Sequence, residues 1–128
     1  MRVEPTQDRA RALALLELAA AHDVSGPSSA AELAEGAALF DLVRDGQAVG
    51  AFALRVDRYP SGTVMTVTAA ASQAGQDATA CMDAWLVDQA RRHVGARAIT
   101  CQTRRPGLVR KLQRAGWRVA GFVMQKDT

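Results

Sequence analysis

Aromatic side chains are scarce in this chain: two Trp, one Tyr and three Phe in 128 residues. In the basic C-terminal third Trp117 and Phe122 belong to a predicted core strand, so no interleaved rings are left on which bases could stack, and the usual signature of a single-strand nucleic-acid binder is missing. Cysteine is equally sparse. Cys81 and Cys101 fall on different predicted elements with no Cys-x-x-Cys or Cys/His ligand spacing, so a disulfide scaffold or a zinc site has no basis and both are expected as reduced core thiols. His22 and His93 stand alone, which argues against a histidine-based nucleophile system. No apolar run approaches the roughly 20 residues a membrane span needs, and nothing resembles a signal peptide. The expectation is a cytoplasmic protein with no membrane partner.

What the chain does have is length enough for one core and charge of one sign at one end. A chain of 128 residues buries roughly two thirds of its unfolded surface, so residues 1–128 are expected to form one domain without staples. Residues 1–90 hold six Arg against twelve acids, whereas residues 91–128 hold eight Arg and two Lys against one acid. A basic surface gathered on one side suits an anionic ligand, although a solvated helix face offset by the acidic half explains the same count.

Periodicity divides the chain into alternating elements. A short strand at Arg2 to Glu4 precedes a helix from about Thr6 to Ala21, with Leu13, Leu16 and Ala20 at helical spacing and Leu15 and Leu18 widening the stripe. Ser25-Gly26-Pro27 breaks the chain, and Ser29 with Glu32 has capping-box spacing for a short helix over Ala30 to about Gly36. A three-strand meander follows: Leu39 to Arg44, an Asp45-Gly46 turn, Ala48 to Asp57, a Tyr59-Pro60-Ser61-Gly62 turn, then Thr63 to Ala70. Asp77 is placed to cap a long helix to Val94 that carries Met82, Trp85, Leu86 and Ala90 on one face. Arg97 to Thr103 reads as a strand, and Pro106 to Ala115 as a helix with apolar Leu108, Val109 and Leu112 opposite Arg110, Lys111 and Arg114. Gly116 stops it. Trp117 to Lys126 reads as a closing strand with Trp117 and Phe122 in the core.

This order of strand, two helices, three-strand meander, long helix, strand, helix and strand resembles the GNAT acetyltransferase superfamily over nearly the whole chain. The resemblance implies an α+β fold: a mixed, mostly antiparallel central sheet flanked by helices. In that family the fourth strand leads into a Gln/Arg-x-x-Gly-x-Gly/Ala loop whose amides, with the following helix N-terminus, hold the pyrophosphate of acetyl-CoA. The corresponding segment here is Gln73-Ala74-Gly75-Gln76-Asp77-Ala78, in which Gln76 stands at the central glycine position and Gly75 comes one residue early. By this resemblance the cofactor would pair with the fourth strand at Val67, Thr68, Ala69 and Ala70 and rest its pyrophosphate on Gln73 to Ala78. Arg104, Arg105 and Arg110 could approach its remaining phosphate. A Gly-containing connection capped by Asp77 is the plainer reading of the same loop.

The family often places an Asn after the fifth strand and a Tyr acid on the next helix. Counted back from Gly116-Trp117, those positions fall near Arg105 and on Leu112. The sole tyrosine, Tyr59, sits in a turn and reads as a half-buried loop ring. Asp41, Asp57, Thr66 and Thr68 are candidates for removing the amine proton, but charges on such a meander usually face solvent, and none can be selected. Cys101 could approach the cleft, although a buried structural thiol is the simpler expectation.

Three functions compete. The first is transfer of an acetyl group from acyl-CoA to an unidentified amine. The second is a noncatalytic GNAT-fold structural or interaction module that has lost cofactor binding, as in compact degenerate forms among phage-encoded proteins; a partner chain or second copy could complete its sheet edge. Nucleic-acid binding ranks last.

Overall fold

The computed structural model describes residues 1–20 and 29–128; His22 and the Ser25-Gly26-Pro27 break lie outside the described residues, as does the expected end of the first helix at Ala21. The elements are β1 (Arg2–Pro5), α1 (Arg9–Ala20), α2 (Ala30–Ala34), β2 (Ala38–Arg44), β3 (Gln47–Tyr59), β4 (Gly62–Ser72), α3 (Gln76–Gln89), β5 (Ala96–Cys101) and α4 (Pro106–Arg114). A π-helical turn over Ala90–Val94 prolongs α3 to Gly95, whose left-handed backbone ends it. The five strands form one sheet in chain order, antiparallel from β1 to β4 and parallel between β4 and β5.

Alternation along the strands sends side chains to two layers. Ala51, Ala53, Ala69 and Ala71 meet Ala12 and Leu16 of α1 and Ala30 and Ala34 of α2 on one face. Phe52, Leu54, Met65 and Val67 meet Ala78, Met82 and Leu86 of α3 on the other. The layer under α1 and α2 is built mostly of alanine, so those helices lie close against the sheet. The layer under α3 is bulkier and holds an aromatic cluster: Phe40 stacks on its cross-strand partner Phe52 at 5.4 Å, and Trp85 approaches Phe40 at 4.7 Å. The β2–β3 hairpin turns at Asp45 and Gly46, with φ of 51° and 75°, as the Asp-Gly pair requires.

Several expectations are corrected. Asp41 does not face solvent: it is 4% exposed and accepts hydrogen bonds from Thr6 Oγ1 at 3.0 Å and Arg11 Nη2 at 2.9 Å. Those partners lie 30 or more residues upstream and neutralise a charge that burial alone would not tolerate. Leu18 is exposed rather than part of the stripe. Asp77 is not the cap of α3; Gly75 is.

The closing strand does not form. Trp117 to Lys126 carries no strand, and Phe122 is 91% exposed. The Trp117 indole donates to Asp83 Oδ1 on α3 at 2.6 Å, and its amide donates to the Leu112 carbonyl at 3.0 Å. These bonds fix where the segment leaves α4. From there it runs beside β5 with cavities of about 620 and 500 Å³ lined by both, and exchanges no ladder bonds with it. A strand needs a neighbour within hydrogen-bond reach, which this path does not supply.

Candidate functional site

A bulge in β4 creates the opening. Leu54 pairs with Val67 and Ala53 with Ala69, so Thr68 is an extra residue on β4. Such an insertion bends the strand that carries it and raises its twist. Pairing with β5 runs from Thr63↔Ala96 to Val67↔Cys101 and stops there, while β4 continues to Ser72. The two parallel strands therefore part at Thr68, and the backbone of β4 beyond it has no β5 partner.

The opening penetrates the sheet. Around it lie Val67 to Ala70 of β4, Cys101 at the end of β5, and Leu108 and Leu112 of α4. Leu112, at the family's tyrosine position, is buried in this wall. Burial pushes the Cys101 thiol above its ordinary value, so the sulfur beside the cleft stays protonated at neutral pH. Ala70 directs its carbonyl into the opening, where Arg105 Nη2 donates to it at 3.2 Å. Arg105 occupies the start of α4 and its amide is held by Thr103 Oγ1 at 3.1 Å.

Beyond Ala70 the opening widens into a groove of about 310 Å³ beside the start of α3, lined by Ser72, Gly75, Thr79, Arg105, Gly107 and Lys111 among others. Ser72 Oγ accepts from the Ala74 amide at 2.9 Å, and Val49 O accepts from the Gln73 amide at 2.9 Å. Two amides of the Gln73–Ala78 loop are thus already bonded. Gly75, at φ 59° and ψ −127°, turns the chain into α3, and no side chain caps that helix. The first-turn N–H groups, Gln76 to Ala78, lack intrahelical acceptors and sit at the positive end of the dipole. Asp77, which would oppose an anion there, pairs with Arg44 Nη2 at 2.9 Å.

On the α1–α2 side of the parting, polar groups form a row. Arg55 forks onto Asp57 through Nε at 2.7 Å and Nη2 at 3.1 Å, Thr66 Oγ1 donates to Asp57 Oδ2 at 2.8 Å, and Thr66 and Thr100 hydroxyls lie 3.3 Å apart. The Arg55 hydrogen bonds, then that from Thr66, hold the Asp57 carboxyl below its ordinary value. A depressed carboxyl contributes stability above the unfolded value of about 4 and loses it as pH falls through the folded value. Urea titrations should therefore show Asp57→Asn less stable than wild type by a constant margin at neutral pH. The margin should shrink below about pH 4.

Of the other sequence candidates, Asp41 lies under α1 with both oxygens engaged, Thr68 donates to Leu33 O at 2.6 Å, and Tyr59 ends β3 half exposed. Thr100 was not singled out by sequence, because a threonine in a β-rich run carries no local signal of its neighbours. Among the described residues there is no group of three His, Cys, Asp or Glu side chains that could hold a metal, and no helix is long and apolar enough to cross a membrane.

A five-stranded mixed sheet whose fourth and fifth strands part above a loop-to-helix turn, with helices on both faces, is the fold of the GNAT acetyltransferases. Among solved structures, the ribosomal-protein-alanine N-acetyltransferase of Brucella melitensis biovar Abortus 2308 superposes with TM-score 0.66 at 16% identity, over 100% of this chain and 99% of its own. TTHA1254 from Thermus thermophilus gives TM-score 0.66 at 16% identity over 100% and 97%, and a transcriptional regulator from Bacillus halodurans C-125 gives 0.69 at 13% over 98% and 98%. No family model and no curated protein matches the sequence. At such identities the likeness concerns the fold, and function has to be argued from the site.

Proposed function

We propose that this protein binds acetyl-CoA in the β4–β5 parting and transfers the acetyl group to an amine. The observation that carries the reading is the parting itself: β4 leaves β5 at Thr68, and the Ala70 carbonyl points into the gap. The residues present fit the cofactor. An extended amide chain can pair with β4 from Val67 to Ala70, much as a peptide adds to a sheet edge. The pyrophosphate suits the groove beyond, where Gly75, Ala78 and Thr79 at the start of α3 lie across from Arg105 and Lys111 and the first-turn amides of that helix lack intrahelical acceptors. Gln73 and Ala74 would then shape the loop rather than donate, since their amides are already bonded.

Bound acetyl-CoA would supply an acyl thioester activated for attack. Within this chain, Leu112 and Leu108 keep water from the inner end of the cleft, and the protonated Cys101 leaves no competing thiolate there. No tyrosine stands on α4, so solvent at the open end of the cleft would take the proton shed by the amine and return one to the departing thiolate. Arg105 has to release Ala70 for the cofactor's amide chain to pair, and can then turn to phosphate.

Isothermal titration should give a submillimolar Kd for acetyl-CoA. Arg105→Ala should weaken it about tenfold at low ionic strength, with a shallower salt dependence than wild type. Absence of heat for both acetyl-CoA and CoA would remove the proposal. A noncatalytic module is the competing reading, favoured by Leu112 at the acid position and by Arg105 seated on Ala70. Acetylation of any amine sinks it.

A further inference from the structure

The Asp57–Thr66–Thr100 row has a direction, and hydrogen-bond accounting fixes it. Asp57 has a depressed carboxyl and is ionised at neutral pH, so its oxygens only accept. Thr66 has one hydroxyl hydrogen, and it is spent on Asp57 Oδ2 at 2.8 Å. At the 3.3 Å contact with the exposed Thr100 the Thr66 oxygen can therefore only accept, so the hydrogen of any bond between the two comes from Thr100. Thr100 in turn spends its single hydrogen inward, and what its oxygen presents outward is lone pairs alone. A threonine hydroxyl ordinarily donates or accepts as its partner demands; here the fork from Arg55 to Asp57 locks it as an acceptor.

Thr100 lies on the lining of the cavity of about 620 Å³ bounded by the end of β5, α4 and the C-terminal segment, with Thr66 and Cys101 beside it. It sits one register position before the last β4–β5 pair, at the lip of the parting. Of the charged side chains nearby, Asp57 is offset by the fork from Arg55, and Arg118 on the cavity wall leaves a net positive balance, which disfavours a further cation at the seat.

We infer that Thr100 is the positioning residue for the acceptor, seating an uncharged primary or secondary amine by accepting its N–H. An amine held by one N–H keeps its lone pair free for attack on a thioester in the adjoining cleft, whose lining shares Cys101, Thr103 and Leu112 with this cavity. The role of the seat rests on the transfer reading above, but its binding chemistry does not.

The test uses a weakly basic amine that is uncharged near neutrality, 2,2,2-trifluoroethylamine, against its N,N-dimethyl derivative, which has no N–H, followed by fluorine NMR. Wild type should bind the primary amine about fivefold or more tightly than the dimethyl derivative, the worth of one hydrogen bond. Thr100→Val should abolish that preference and Thr100→Ser should keep it. Asp57→Asn should weaken it, because a carboxamide can donate to Thr66 and unlock the row. Equal binding of the two amines by wild type, no binding of either at the solubility limit, or a preference that survives in Thr100→Val overturns the inference. Acetyl-CoA titrations of the same samples separate the two ideas. Loss of amine preference with normal acetyl-CoA affinity in Thr100→Val supports the seat; an amine preference in a protein that ignores acetyl-CoA leaves the seat standing and sinks the transfer reading.

Discussion

Gly75→Val should lower acetyl-CoA affinity by at least tenfold while leaving the protein folded. Gly75 holds φ 59° and ψ −127°, a region closed to β-branched residues, and forcing valine into it costs about 1–3 kcal/mol. A Cβ at this position meets nothing within 4 Å, so the penalty is backbone strain without collision, and the loop can relieve it by turning. That turn would carry Ala78 and the start of α3 away from the groove. Calorimetric titration reads the first effect; a thermal melt shifted by only a few degrees reads the second. Unchanged affinity would place the pyrophosphate elsewhere.

Phe52→Ala carries the largest expected loss of stability, about 3–5 kcal/mol, from the deleted ring and the cavity it leaves. Phe52 is 0% exposed and touches both Phe40 and Trp85, the latter at 5.6 Å in an edge-on arrangement. In a chain otherwise poor in aromatics these three rings are concentrated at one place under α3. Roughly 10–20 °C should disappear from the midpoint of a thermal melt. A loss under about 1 kcal/mol in urea titration would mean that the neighbours collapse into the space.

Much of the fold was legible because its signals are local. Asp45-Gly46 fixes a hairpin by backbone chemistry alone, Pro106 and Gly116 bracket α4, and Ser29 caps α2 by accepting from the Glu32 amide at 3.1 Å. What was not legible depended on distant partners. Asp41 reads as a surface acid until Thr6 and Arg11 arrive across the sheet. The C-terminal segment has the apolar content of a strand, but whether a strand forms depends on the path set by Trp117 and Asp83. Gly75 rather than Asp77 starts α3 because Ser72 and Val49 have already turned the loop. The cause of the parting was hidden as well: Met65 and Val67 alternate with Thr66 and Thr68, and the three alanines that follow have no size contrast to betray a change of phase.

That hidden cause has a genetic reading. Thr68 and Ala69 both face α1 and α2, the former through its bond to Leu33 and the latter in the alanine layer, while Val67 and Ala70 face α3. Removing Thr68 would leave Val67 opposite Leu54 and Ala69 opposite Ala53, with every other side chain on its present face. The bulge beside the cleft is thus the product of a single supernumerary codon. An in-frame loss of three bases would keep the sandwich of helices and sheet and remove the bend that Thr68 puts into β4.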